Sequence, residues 1–220
     1  LVDDSAFFRD MLSPALKDNP HLFKGVMTGI LRVARESMFS GLNNVQVYSL
    51  LHDRPTEHFG FTDGEVQALL MEYGRETYTD EVRRWYNGYR FGDAIVYNPW
   101  SIVSFLASTK AELSPYWLNT SGNDLVRSLL LAGTNVQDAI STLLRGETIT
   151  AEIQEEVALR DLRPENAWSL LLFSGYLKAT QLRKIGTRVF ATLAIPNVEV
   201  RGVWEDTFSR WIETPVGPPA

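Results

Sequence analysis

Tyr176-Leu-Lys-Ala-Thr-Gln-Leu-Arg-Lys-Ile-Gly-Thr-Arg-Val-Phe-Ala-Thr-Leu-Ala-Ile195 decides how the second half of this chain folds. Two apolar, β-favouring runs, Tyr176 to Leu182 and Val189 to Ile195, flank Gly186. In the second run Val189, Ala191, Leu193 and Ile195 fall on one face, the period-two pattern of a half-buried strand. Upstream, Pro164 to Ser174 reads as a helix. Downstream, Asn197 caps a last helix with Val200, Val203, Trp204, Phe208 and Trp211 on one face. Helices followed by a two-stranded wing predict a winged-helix-like end over 147–213.

Working back toward the N-terminus, most signals are helical. Thr62 and Glu65 make a T-x-x-E capping box, with Val66, Leu69, Leu70 and Tyr73 as the apolar face and Gly74 as the stop. Thr79 opens a helix carrying Val82, Trp85 and Tyr86. Gly92-Asp93 between Tyr89-Arg90-Phe91 and Ile95-Val96-Tyr97 predicts a tight hairpin. Asn98-Pro99 supplies an N-cap with proline at the first helical position. Ser121 with Asp124, and Asn135 with Asp138, open two more helices, the second ending at Gly146. The first 50 residues read as one helix (Phe8, Met11, Leu12, Ala15, Leu16), then strands over Phe23 to Leu31 and Val45 to Leu51, with a linker within Asn43 to Gly60. The tail 214–220 is expected to be mobile. The fold class is therefore helix-rich α/β, divided as 1–50, 61–146, 147–213 and the tail.

Composition narrows the chemistry. The 220 residues include no cysteine, which removes disulfides, thiolate metal sites and cysteine nucleophiles. With 27 acidic and 21 basic residues the net charge is −6, which opposes non-specific attraction to nucleic acid. No apolar run reaches the ~18 residues a membrane helix needs, and Asp3-Asp4 is the wrong charge for a secretory leader. A cytoplasmic location is the expectation, with no membrane partner.

The catalytic motifs tested are missing. A phosphate-binding loop needs a lysine after a glycine, and none of Lys17, Lys24, Lys110, Lys178 and Lys184 follows one. A PD-(D/E)xK nuclease needs an acid two places before a lysine. Those places hold Ala15, Leu22, Ser108, Tyr176 and Leu182. Asp3 and Asp4 fit the acidic first turn of the helix that follows better than the end of a Walker B strand. His52 and His58, with Asp53 and Glu57, are spaced as a solvated loop rather than as metal ligands.

Eight segments in order carry a resemblance. They are Ala15-Leu-Lys-Asp-Asn19, Thr28-Gly-Ile-Leu-Arg32 continuing through Glu36 to Asn44, and Phe59-Gly-Phe-Thr62. Then come Trp85-Tyr-Asn-Gly-Tyr-Arg-Phe-Gly92, Tyr97-Asn-Pro-Trp-Ser101, Tyr116-Trp-Leu-Asn-Thr120, Trp168 to Leu177, and Pro196-Asn-Val-Glu-Val-Arg201. Together they resemble the predicted AAA-ATPase-like proteins of bacteria and archaea that carry a PD-(D/E)xK nuclease-like domain at the C-terminus. The resemblance implies the middle part of such a protein: a remnant of the P-loop ATPase sheet (1–50), a helical lid (61–146) and the winged-helix-like end. ATP and magnesium would serve the intact protein, and neither is expected to bind this chain tightly. Its partners would be the upstream ATP-binding half and the downstream nuclease-like domain.

On that resemblance Thr28 would be a polar sensor near the γ-phosphate and Arg32 an added positive charge. In the plainer reading Thr28-Gly29 ends a strand and Arg32 pairs with Glu36 one turn on. No residue is assigned a catalytic role and none a metal. Lys178, Arg183, Lys184 and Arg188 place a basic cluster on the wing, the candidate contact to nucleic-acid phosphate. Trp85 to Gly92 is either a packing hub between lid and hairpin or a surface for a partner. A plain interaction module is the remaining alternative, favoured if Trp204 or Trp211 is exposed.

Overall fold

The computed structural model describes residues 4–29, 46–52, 57–117, 134–155 and 164–213. Helix α1 (Asp4–Leu16) forms where the apolar spacing places it. The Asn19 side chain donates to the Ala15 carbonyl just beyond its end. Residues 24–29 then carry no regular structure, and Phe23 and Val26 stand 102% and 86% exposed. The expected strand at Phe23 to Leu31 is thus absent over its described part, and Ile30 and Leu31 lie outside the described residues. The reason is pairing: a strand satisfies its backbone polar groups only through a neighbour, and no described strand pairs with this one. The strand expected over Val45 to Leu51 is likewise absent over its described part, and Val45 lies outside the described residues. Residues 46–52 end in a turn, in which the His52 amide donates to the Ser49 carbonyl and Ser49 approaches the His52 ring at 3.0 Å.

The helical unit begins at the capping box. Glu65 N donates to Thr62 Oγ1 (3.4 Å) and Thr62 N donates to a Glu65 carboxylate oxygen (2.7 Å), opening α2 (Asp63–Glu72). Helix α3 (Thr79–Tyr86), the hairpin β1 (Tyr89–Phe91) and β2 (Ala94–Val96), and α4 (Pro99–Ala107) follow. Asn98 caps α4 by accepting from Trp100 N at 2.9 Å. Val66, Leu70, Val82, Tyr86, Tyr97, Ile102 and Phe105 form one closed core. Asp63 locks its edge: Arg83 donates to both carboxylate oxygens and the Tyr97 hydroxyl donates to one at 2.6 Å. Arg75 closes the far end of α4 by donating to the Phe105 and Ser108 carbonyls.

The sheet unit runs α5 (Thr134–Leu144), β3 (Ile149–Ile153), α6 (Pro164–Phe173), β4 (Lys178–Ile185), β5 (Arg188–Ala194) and α7 (Val198–Glu213). The three strands are antiparallel in the order β3-β5-β4. Gly186 turns the β4–β5 hairpin at a φ of 61°, a conformation that costs glycine little. Its register slips by one residue between Ala179 and Gln181, leaving Thr180 as a bulge. Strand β3 went unread in the sequence although Ile149, Ala151 and Ile153 alternate. It places Ala151 opposite Ala191 and Ile149 opposite Leu193.

The boundary between units also moves. Helix α5, expected in the lid, buries Val136, Ile140 and Leu143 in the core of the sheet unit with Leu171, Leu193, Val200 and Trp204. An amphipathic helix belongs where its apolar stripe finds cover, and here the sheet supplies it. The helix expected at Ser121 and the 214–220 tail lie outside the described residues. The chain is mixed α/β with small sheets, and no helix among the described residues is long and apolar enough to cross a membrane.

Candidate functional site

Where the two units meet, the centre is Glu199. Asn197 caps α7, its Oδ1 accepting from Val200 N (3.0 Å) while its Nδ2 donates to the Asn87 carbonyl across the joint (3.0 Å). Two residues on, Glu199 is an acid in the first turn of the helix, a position the helix dipole favours. It is fully buried. Ser101 Oγ donates to its Oε2 at 2.8 Å and the Trp117 amide donates to its Oε1 at 2.9 Å. Ser101 sits in the first turn of α4, so two helix starts converge on one carboxyl group. Burial pushes that carboxyl up to about 7, against the opposing pull of the Trp117, Ser101 and Tyr116 donors.

The surrounding contacts are close. Gly88 has a φ of 108°, and a Cβ there would stand 2.5 Å from the Pro196 carbonyl oxygen, so only glycine fits this approach. Lys178 donates to that same carbonyl at 3.2 Å, and burial holds its amine below the ordinary lysine range. The Tyr89 hydroxyl is buried without a hydrogen-bond partner. Burial, and after it the nearby Glu199 carboxylate, raises it above the usual tyrosine range. The Trp117, Tyr176 and Trp204 rings meet in sequence, tilted at a centroid distance of 5.1 Å and edge-to-face at 6.3 Å, and Trp204 Nε1 donates to the Tyr176 carbonyl.

Five of the segments quoted for the resemblance meet here. Trp85–Gly92 brings Asn87, Gly88 and Tyr89, and Tyr97–Ser101 brings Ser101. Tyr116 onward brings Trp117, Trp168–Leu177 brings Tyr176, and Pro196–Arg201 brings Asn197 and Glu199. Trp85–Gly92 therefore acts as the packing hub rather than as an open surface. Sequence reading passed over Glu199, because an acid two places after an N-cap looks like an ordinary solvated helix start. Val203, four residues on and therefore on the same helix face, is buried and is the signal that the position faces inward.

Chemically, a sealed carboxyl met by fixed donors holds parts together. It has no exposed face to offer a substrate.

The predicted site residues fare differently. Thr28 lies in the exposed segment 24–29, and Arg32 and Glu36 lie outside the described residues. Lys178 belongs to the joint rather than to the tip of the β4–β5 hairpin, because it occupies the first position of β4 and its amine is turned inward to Pro196. Arg183, Lys184 and Arg188 are exposed on the tip. Arg183 and Lys184 are consecutive strand residues and so point to opposite faces. Arg188 pairs with Glu152 at 3.7 Å. A shallow depression of about 420 Å³ beside them mixes Lys184 and Arg188 with Glu152 and Glu155. Among the described residues no cluster of metal-ligating side chains occurs. Trp204 is buried, so it offers no anchor to a partner, and the Trp211 side chain lies outside the described residues.

No family model matches the chain, and no solved structure matches it. It is similar to a protein of Azotobacter chroococcum mcd 1 known as the uncharacterized protein in the vnfD 5′ region, with 28% identity over 193 residues. The match takes in 88% of this chain and 36% of that protein, so the chain spans about a third of the relative's length.

Proposed function

We propose that this chain is the middle part of an AAA-ATPase-like protein, a helical lid and winged-helix-like end that couple ATP state to a nuclease-like domain without performing catalysis themselves. The observation that carries this reading is the exposed apolar run at Phe23, Val26 and Met27. Side chains of this kind are ordinarily buried, and a sheet supplied by an upstream ATP-binding half would bury them, with Thr28 at the strand's end. The winged-helix assignment draws support from the order helix, strand, helix, hairpin, helix with β5 between β3 and β4. Coupling draws support from the Glu199 joint, since a displacement of the lid would reach the sheet unit through it.

The test is calorimetric titration of this chain with ATP, with and without magnesium. No binding is expected. Micromolar binding lost on Thr28→Ala would mean that a nucleotide pocket survives here, and the claim that the chain is catalytically empty would fall.

A second reading, nucleic-acid binding by the wing, is favoured by the exposed Arg183, Lys184 and Arg188. Weighing against it, α6 precedes the hairpin as a recognition helix would, yet it has no basic residue and buries Ala167, Ser169, Leu170, Leu171 and Leu172. Anisotropy of a labelled duplex titrated with the chain at low salt decides this: a flat curve ends the second reading.

A further inference from the structure

Burying a carboxyl group without a cation is costly, and Glu199 is such a case. Among the described residues no ion pair includes it. The titratable groups acting with it from the packed elements are Tyr86 of α3 and Tyr89 of β1, whose hydroxyls burial keeps protonated. Lys178, the cation of the same joint, is bonded to the Pro196 carbonyl, and Arg201 on α7 itself is paired with Glu205. The remaining contacts are neutral: the Ser101 hydroxyl and the Trp117 and Tyr116 backbone amides.

We propose that Glu199 is a pH-sensitive clasp between the helical unit and the sheet unit, closed most firmly when its carboxyl is protonated. A hydroxyl both donates and accepts, so Ser101 can serve either state. It donates to the carboxylate as seen, or it rotates to accept the proton of the acid. The Trp117 amide donates in both. The neutral acid thus keeps its partners and avoids the desolvation of a charge.

The sign follows from the direction of the shift. Burial raises the carboxyl from its ordinary 4.5 to about 7. Between those values the closed form holds a proton that the open form has released, so closure weakens as pH rises. The loss begins near 4.5 and is complete above about 7.

The deciding experiment is a carbon-13 NMR titration of the side-chain carboxyl of Glu199 in the intact chain, assigned through its own backbone. Hydrogen exchange at the Trp117 amide is followed alongside, corrected for the intrinsic pH dependence of exchange. A midpoint near 7, with Trp117 protection falling as pH rises from 5 to 8, is the expected result. A midpoint near 4.5, or Trp117 protection independent of pH, overturns the proposal. Glu199→Gln provides the second arm. Its thermal midpoint should lose the wild-type decline between pH 5 and 8, and an unchanged decline would assign that slope to other groups. If the variant does not fold, the wild-type titration still decides.

Discussion

Residues 23–29 and 188–194 present the same kind of apolar, strand-like sequence and meet opposite fates. The first is irregular, with Phe23 and Val26 open to water. The second is the central strand of a sheet, bonded on both edges, with Ala191 and Leu193 fully buried. The difference lies in what each run can reach. Strand β5 has β4 one tight turn away and β3 closing its other edge, whereas the N-terminal run has no described neighbour to pair with. Local pattern therefore states an offer, and tertiary context decides whether it is taken up.

Mutations can sharpen that contrast or break it. Leu193→Ala should cost about 2–5 kcal/mol of unfolding free energy, as expected for emptying a fully buried leucine site. Urea denaturation checks it, and a loss under 1 kcal/mol would show that the sheet core can collapse around the gap. Thr62→Ala removes the side-chain half of the capping box and should cost about 1 kcal/mol, read from the same curves. Val26→Ser should change stability by less than about 0.5 kcal/mol, because the side chain is already exposed. A larger loss would mean that the N-terminal run packs in solution, and the comparison would fail. In a longer polypeptide that includes an ATP-binding half, the same serine should become costly if the proposed sheet is there to receive it.

What could be read from the sequence was what local chemistry determines. The capping box at Thr62, the hairpin around Gly92-Asp93, the cap at Asn98-Pro99 and the β4–β5 hairpin turning at Gly186 each depend on a few neighbouring residues, and all are present. The failures were non-local. Assigning α5 to the sheet unit requires knowing which core covers Val136 and Ile140, and β3 gains its meaning only from β5. The joint was hardest to see. Ser101 and Glu199 are 98 positions apart, and a serine or a glutamate near a helix start has a sufficient local explanation in capping and dipole effects. Only the burial of Glu199 reveals the longer-range use. The basic hairpin misled in a similar way, since Lys178 looks like Arg183 and Lys184 on paper but lies at the other end of β4, facing the joint.

The bulge at Thr180 divides the β4–β5 hairpin into a fastened base and an open tip. Its carbonyl accepts from Arg90 Nη1 at 2.9 Å, which fastens the base to the first hairpin, and its hydroxyl donates to the Thr192 carbonyl, which ties the base across to β5. Beyond it, Gln181 to Arg188 are exposed. Insertion, deletion or change of charge at the tip should therefore cost either core little, while the same changes at the base should not be tolerated.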